Sequence, residues 1–358
     1  MKKIILIAAV AIAAAACSKT FDTNLATEKA IGFGTWAENL TKAEARVQGS
    51  STFLAGDTFK VSGTKENGGT KTVFNGVTVE AKAGSPLVWE YSPLRFWDSN
   101  ATSYTFYAVS PAAAATVATD GKVASTSAVE FTGKVNDILV ATEKVVDNAD
   151  FNKKVELVFN HAASLVDIKV KKANALKDAT VTVSDLVLKN IQSKGNLAVN
   201  TYTSNLPDVV WTHDGTSYKN FGPADGVVEV DMTTPKVIAN DANFTPDYGN
   251  TPAASTDLIK KLVVMPQTFA TTGTKQQLEV TYKIQISADD VIEHTTDVDL
   301  ANFDEDDDKD QDDTKIGGWA NGKHYIFYIT LDANAIEFTA SITDWTTTSV
   351  SGYHYIID

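Results

Sequence analysis

The chain has 358 residues, of which 43% are hydrophobic and 21% are charged. This length suffices for two domains with a core each, and the composition excludes a disordered chain and a multi-span membrane protein. The formal net charge of −14 at pH 7 argues against a nucleic-acid partner, because binding to a phosphate backbone needs clustered basic charge.

The first residues indicate export. Two lysines precede an uncharged apolar run over residues 4–16, which is too short to span a bilayer comfortably and suits a signal peptide. The run ends in small residues before Cys17, the only cysteine, and this pattern resembles a bacterial lipobox. We therefore predict a lipoprotein signal peptide over residues 1–16 and lipidation (palmitate) at Cys17, which anchors the precursor to a membrane. The alternative is an ordinary signal peptide with an incidental cysteine.

Short stretches that alternate apolar and polar residues, or are wholly apolar, recur along the rest of the chain and predict β-strands. The clearest lie at residues 59–61, 77–79, 104–109, 155–159, 166–170, 181–183, 278–284 and 336–340. Turn residues separate roughly eighteen such candidates, and no amphipathic helix exceeds two turns. The pattern predicts an all-β protein of Greek-key β-sandwiches, with the boundary between two halves near residues 160–164.

One short stretch of the first half, residues 89–97, is rich in aromatic residues. Trp89, Tyr91 and Trp97 suit a layer that fills the interior of a sandwich, and we favour this over an exposed platform for sugar rings. His161 lies at the predicted linker, with no second His or Cys within metal-ligand spacing. We therefore expect a hydrogen-bonded residue there rather than a metal ligand.

The chain carries no motif that indicates an enzyme. The five histidines are scattered singly, and G-x-S-x-G, H-E-x-x-H and a Gly-rich phosphate loop are absent from the sequence. An acylated Cys17 leaves no thiol nucleophile to pair with a histidine. We predict no catalysis and no cofactor.

An acidic run over residues 304–313 is the one candidate for a metal site. Asp304, Asp306 and Asp308 have the one-three-five spacing of an EF-hand loop. Lys309 replaces the glycine of that loop, however, and Lys315 stands at the place of its last ligand. We favour a solvated surface loop and predict no metal site, with weak divalent-ion binding as the alternative.

One segment resembles the fimbrillin family of the Bacteroidales. Residues 89–97 read WEYSPLRFW and residues 104–111 read YTFYAVSP, which is similar to the family pattern W-x-Y-x-P-x-x-Y-W followed by Y-x-F-x-A-x-x-P. Phe96 stands where Tyr is commoner, and residues 164–166 depart from the usual S-K-[VI]. Further similar segments follow in order at residues 137–141, 155–159, 161–164, 265–268, 321–325 and 344–345.

This resemblance implies two transthyretin-like β-sandwich domains in tandem, which we place at residues 47–162 and 163–358. It also implies a lipoprotein precursor of the outer membrane that matures into a subunit of type V fimbriae. In the family, a trypsin-like protease cuts after an arginine near the N-terminus and removes the first strand. Arg46, one of two arginines, follows a polar stretch and a strand candidate at residues 30–33.

Arg46 and Val47 are therefore the predicted processing site, and residues 17–46 the propeptide with its removable first strand. A sandwich that loses a strand exposes unpaired backbone groups and an apolar groove, which can accept a strand from another chain. The alternative is that Arg46 is a surface residue that is not cut.

The predicted donor strand is the C-terminal segment at residues 350–358. Tyr353, Tyr355 and Ile357 fall on one face of an extended chain, and such a ladder could enter the vacated groove. The alternative is a last strand paired within its own domain.

These observations predict a non-catalytic fimbrial subunit of the cell surface, more specifically a stalk subunit that serves adhesion. Its predicted partners are other fimbrial subunits, the outer membrane through its lipid, a trypsin-like protease, and a host or glycan receptor. The alternative is a monomeric surface lipoprotein that binds a glycan or host protein and never polymerises.

Overall fold

A computed structural model of the chain describes residues 29–37, 53–84, 87–133, 137–222, 236–238, 256–303, 315–332 and 336–344. Within these ranges the regular structure consists of β-strands and short 3-10 turns at Asn148–Asp150, Asn174–Leu176 and Leu300–Asn302, without an α-helix. The all-β prediction is confirmed, and each of the eight clearest predicted strands lies inside an observed one. Over the same ranges, no helix has the length and apolar character needed to cross a membrane.

Eleven strands lie in the first half of the described chain. They are β1 (Phe33–Ala37), β2 (Thr58–Glu66), β3 (Thr70–Lys82), β4 (Val88–Glu90), β5 (Ser103–Ser110), β6 (Ala115–Val117), β7 (Val123–Ser125), β8 (Val129–Glu130), β9 (Leu139–Ala141), β10 (Lys144–Asp147) and β11 (Val155–His161).

Thirteen strands follow in the second half of the described chain. They are β12 (Ser164–Lys172), β13 (Thr180–Gln192), β14 (Lys194–Thr203), β15 (Leu206–His213), β16 (Tyr218–Phe221), β17 (Lys236–Ile238), β18 (Thr256–Val264), β19 (Gln267–Thr268), β20 (Gln277–Gln285), β21 (Val291–Asp299), β22 (Gly318–Trp319), β23 (Lys323–Leu331) and β24 (Ile336–Asp344).

The first half is built on one eight-stranded sheet. Its strand order is β1-β11-β9-β5-β2-β3-β4, with β10 paired to β5. Alternating residues of these strands point inward, as the period-two pattern predicts, and form a core rich in aromatic rings. Phe59, Phe74 and Phe106 are fully buried in this core.

The second half is a two-sheet sandwich. One sheet has the order β18-β12-β23-β24, and the other has the order β16-β13-β20-β21 with β17 paired to β13. Aliphatic residues of both sheets form a common core between them, which is the packing that the alternation in β12, β13 and β20 predicts. The sandwich prediction is confirmed for this half.

A further sheet combines strands from both sides of the predicted domain boundary. It has the order β15-β14-β7-β6, with β8 paired to β14. Its buried residues include Val117 and Val123 from before the boundary and Leu197 and Val199 from after it. The hairpin β14–β15 therefore packs on the first half, and the division between residues 162 and 163 stays a prediction.

The predicted linker is a packed connection. Only two residues, Ala162 and Ala163, separate β11 from β12, and both are fully buried. His161 is 7% exposed, and its Nδ1 lies 2.8 Å from Oδ2 of Asp137. The expectation of a hydrogen-bonded histidine is confirmed.

Candidate functional site

The aromatic residues singled out in the sequence belong to the core of the first half. Trp89 is 9% exposed and Trp97 is 1% exposed. Their rings contact Phe59 and Tyr104 with centroid separations of 4.8 Å in both pairs. Core packing is confirmed, and these side chains do not form a surface for stacking on sugars.

The N-terminal segment, residues 29–37, pairs with two separate parts of the first half. At one end, β1 pairs in parallel with β11, with Phe33 opposite Val155 and Ala37 opposite Phe159. At the other end, Ala30 forms an isolated bridge with Phe96, just after β4. One short piece of chain thus covers the β11 edge of the sheet and also pairs with the loop that follows β4.

Backbone hydrogen bonds fix the segment on both sides. The amide of Ile31 donates to the carbonyl of Arg95 at 2.8 Å, and the amide of Trp97 donates to the carbonyl of Lys29 at 3.2 Å. On the β11 side, the amide of Val155 donates to the carbonyl of Gly32 at 2.8 Å. Each such bond contributes about 0.5–1.5 kcal/mol net.

Two side chains of the segment enter the core. Ile31 is 1% exposed and Phe33 is 2% exposed. The Phe33 ring lies among four others, at centroid distances of 5.7 Å from Phe59, 5.5 Å from Phe74, 5.7 Å from Tyr91 and 6.0 Å from Phe106. Phe33 therefore fills the centre of the aromatic core, although β1 lies at the end of the sheet.

Tyr91 links the core to the segment. Its hydroxyl donates to the carbonyl of Ile31 at 2.7 Å, and the amide of Arg95 donates to the same hydroxyl at 3.3 Å. The hydroxyl is protonated and a donor at neutral pH, and burial raises the pKa of Tyr91 above its ordinary value of 10, which extends this into alkaline solution.

The loop that follows β4 is held by Asp98. Its Oδ2 accepts hydrogen bonds from Nζ of Lys65 at 2.5 Å and from Nδ2 of Asn67 at 3.0 Å, and its amide donates to the hydroxyl of Tyr104 at 2.7 Å. Mainly through the hydrogen bond from Lys65, the pKa of Asp98 falls from 3.8 to about 2. The charged carboxylate therefore stabilises the loop against which the N-terminal segment pairs.

Acid is expected to remove this contribution. Because the folded pKa lies below the unfolded value, the stabilisation is present above about pH 4 and is lost as the pH falls from 3.8 towards 2. In Asp98→Asn, the free energy of unfolding should be lower at pH 7 and should fall less steeply over that window than in the wild type. Urea denaturation between pH 2 and 5 checks this. Asp289→Asn, on an exposed turn, is the matched control. The prediction would be contradicted if the free energy of unfolding fell equally steeply with pH in Asp98→Asn and in the wild type.

Of the two arginines, the structure describes Arg95. Its Nε donates to the carbonyl of Val73 at 3.2 Å, and its Nη1 donates to the carbonyl of Pro93 at 3.3 Å. A side chain bound in this way is a poor protease substrate, since cleavage needs an extended and accessible segment. The other arginine, Arg46, lies between Ala37 and Phe53, outside the described residues.

The other predicted site residues also lie outside the described ranges. They are Cys17, Val47, Tyr353, Tyr355 and Ile357, together with the acidic run at residues 304–313. Their predicted roles in lipidation, processing and strand donation stay predictions. In the described part of the chain, no group of three or more His, Cys, Asp and Glu side chains is arranged to hold a metal ion.

The removable strand was predicted in a slightly different position. The sequence indicated a strand at residues 30–33, whereas β1 spans Phe33–Ala37 and Ala30 forms only a bridge. The two-residue spacing of Ile31 and Phe33 was the signal for their common inward face. Nothing local in the sequence indicated that the segment would pair with residues 95–97 as well as with β11.

Several solved structures are similar in fold to this chain. A candidate cell adhesion protein from Bacteroides uniformis has 16% identity and a TM-score of 0.46, covering 91% of this chain and 100% of its own. The tip fimbrial protein Mfa3 from Porphyromonas gingivalis has 9% identity and a TM-score of 0.37, and the match covers 81% of this chain and 94% of that protein. A fimbrial assembly protein from Parabacteroides distasonis has 9% identity and a TM-score of 0.37, and the match covers 91% of this chain and 98% of that protein.

No curated protein matches the chain in sequence. The model of the fimbrillin-like family matches residues 41–345, which is most of the chain. The family predicted from the aromatic and proline pattern at residues 89–111 is thereby confirmed, and the chain belongs to the fimbrillin-like family.

Proposed function

We propose that this protein is a structural, non-catalytic subunit of a cell-surface fimbria that serves adhesion. The match to the fimbrillin-like family over residues 41–345 supports this. More specifically, we propose a stalk subunit of a type V fimbria, exported as an outer-membrane lipoprotein through Cys17 and polymerised by strand exchange after a trypsin-like protease cuts between Arg46 and Val47.

The observation that carries this proposal is the position of the N-terminal segment. Residues 29–37 precede Arg46 in the chain, pair with β11 and with the loop after β4, and insert Ile31 and Phe33 into the core. A cut after Arg46 separates this segment covalently from the rest of the chain. Its departure would leave the β11 edge unpaired and an apolar groove open, which is the surface that strand addition requires.

The proposed donor is the C-terminal segment, residues 350–358, of a neighbouring subunit. Tyr353, Tyr355 and Ile357 repeat the two-residue spacing of Ile31 and Phe33. The same alternation would place them on one inward face, with the backbone restoring the hydrogen bonds along β11.

The lipid anchor and the filament can be tested together in the producing bacterium. The strain with the wild-type chain should incorporate labelled palmitate into the protein and show surface filaments by immunogold electron microscopy. Cys17→Ser should lose the label and the filaments, because its thiol is the only available thioether site. Ser18→Ala, one residue further on, is the matched control and should keep both. Palmitate incorporation by Cys17→Ser at the wild-type level would contradict the anchor, and a wild-type strain without labelled filaments would contradict the fimbrial role.

A further inference from the structure

A cleft of about 460 Å³ lies away from the N-terminal segment, where the hairpin strand β15 faces the short β19–β22 sheet. Its volume falls within the range of roughly 300–1,000 Å³ that small-ligand sites occupy. Four separate parts of the chain line it: alternate residues of β15, the β19 region, the β22 region and the start of β23. Strand exchange as proposed above makes no use of it.

The cleft is lined by uncharged side chains. Although 21% of the residues in the chain are charged, none of the described residues that line the cleft is Asp, Glu, Lys or Arg. Burial lowers the pKa of His213, so its imidazole is neutral at pH 7. The aromatic and polar lining side chains with accessible surface are those of Trp211, His213, Thr268 and Asn321, and the nearly buried Trp319 and Tyr325 lie behind them.

The largest ring at the cleft is held in place. The indole N–H of Trp211 donates to the carbonyl of Ala162 at 2.7 Å, and its ring packs edge-on against Phe131 at 5.3 Å. Trp211 is only partly buried, so part of its surface remains available in the cleft. A fixed aromatic surface loses little side-chain freedom when a ligand stacks on it, which favours binding.

The opposite wall is equally constrained. A Cβ atom at Gly318 would lie 2.1 Å from the carbonyl oxygen of Gln267, so only glycine allows β22 to approach β19 this closely. The Gln267 side chain supports this wall, since its Oε1 accepts from the amide of Gln192 at 3.0 Å and its Nε2 donates to the carbonyl of Met265 at 3.1 Å. The cleft is therefore preformed rather than created by loop movement.

Two polar atoms of the lining have no hydrogen-bond partner within the described residues. They are Nε1 of Trp319 and Nδ1 of His213, and both are buried. A buried polar atom without a partner is costly, at about 1–3 kcal/mol. Both atoms lie beneath the surface of the cleft, so hydrogen bonds to a ligand come from the exposed lining residues Thr268 and Asn321.

From this chemistry we propose that the cleft binds a neutral oligosaccharide. A sugar offers C–H groups that pack on the face of an indole and many hydroxyls that hydrogen-bond to amide and imidazole groups. An anionic glycan meets no lining cation among the described residues and approaches a chain of net charge −14. The site thus selects uncharged glycans.

The test uses the full chain on a glycan array that pairs neutral oligosaccharides of galactose, N-acetylglucosamine and fucose with their sialylated and sulfated forms. The strongest neutral oligosaccharide is then titrated by calorimetry. Binding to neutral glycans, and at least tenfold weaker binding to their charged forms, is expected. No neutral binding, or charged forms that bind equally well, would overturn the proposal.

Two variants locate the binding in the cleft without removing a structural contact. Gly317 has open space around the position of a Cβ, so Gly317→Leu should fold normally and obstruct the cleft, weakening binding at least tenfold. Asn321 is exposed, and Asn321→Ala should weaken binding roughly fivefold through lost hydrogen bonds. The control is Tyr218→Ala, which removes an exposed aromatic ring that does not line the cleft and should leave binding unchanged. Wild-type affinity in Gly317→Leu would place the binding elsewhere and refute the site.

Discussion

Replacing Phe33 with alanine in the uncleaved chain is expected to lower the free energy of unfolding by about 3–5 kcal/mol, the usual cost of a large-to-small change in a core. The ring is 2% exposed and touches four other aromatic rings, so its removal leaves a cavity at the centre of the first-half core. Urea denaturation measures the change as a lower midpoint with an unchanged slope.

The same variant should loosen the N-terminal segment. The amide of Val155 is protected by the carbonyl of Gly32, so its hydrogen exchange reports whether β1 is in place. Exchange at Val155 should be faster in Phe33→Ala than in the wild type. In this way the segment can be seen to detach even where the rest of the sheet remains folded.

Phe96→Ala is the matched control for this experiment. Phe96 is 48% exposed, and its backbone forms the bridge with Ala30, which an alanine preserves. Its stability should stay within about 0.5–1 kcal/mol of the wild type. A second control is the protein that has been cut after Arg46 and has lost its N-terminal fragment. Residue 33 is then absent, so the wild type and Phe33→Ala should have the same free energy of unfolding. Equal losses from Phe33→Ala and Phe96→Ala would show that Phe33 does not carry the packing of the segment.

The sequence predicted the fold class well because alternation and turn residues are local signals. Strands such as β13 and β20 alternate over several residues, and their buried faces are the apolar ones. Trp89 and Trp97 were assigned to the core for the same reason. Strand partners were less accessible, since pairing joins residues far apart in the chain, such as Gly195 of β14 and Val129 of β8.

The candidate sites differ in how much the sequence could indicate. The N-terminal strand was indicated by Ile31 and Phe33, but its second contact with residues 95–97 depends on how the sheet curves. The cleft had no sequence signal, because Trp211 and His213 of β15 are far from Trp319 in the chain and each is unremarkable alone. Only the packing of β15 against the β19–β22 sheet brings them together.

Cleavage after Arg46 is expected to convert a monomeric precursor into a subunit that polymerises. The wild-type chain treated with a trypsin-like protease that cuts only after arginine should form ladders that resist SDS, because each added strand restores several backbone hydrogen bonds and fills the space of Ile31 and Phe33. Arg46→Ala should block both the cut and the ladders. Lys42→Ala, four residues earlier in the same segment, is the matched control for an arginine-directed protease and should behave as the wild type.

A second set of variants tests the donor strand, which would contact the groove that the cleaved segment leaves. Truncation after Ser349 should permit the cut but prevent the ladders, since it removes residues 350–358. A finer comparison uses two variants, each of which places a single aspartate on one of the two faces of that strand. Tyr355→Asp would place a carboxylate in the apolar groove and should block polymerisation, whereas His354→Asp lies on the opposite face and should be tolerated. Undiminished ladders from the truncated chain would rule out this donor strand. A cleaved wild-type chain that forms no ladders would instead favour the monomeric surface lipoprotein, for which the cleft beside Trp211 would then be the principal binding site.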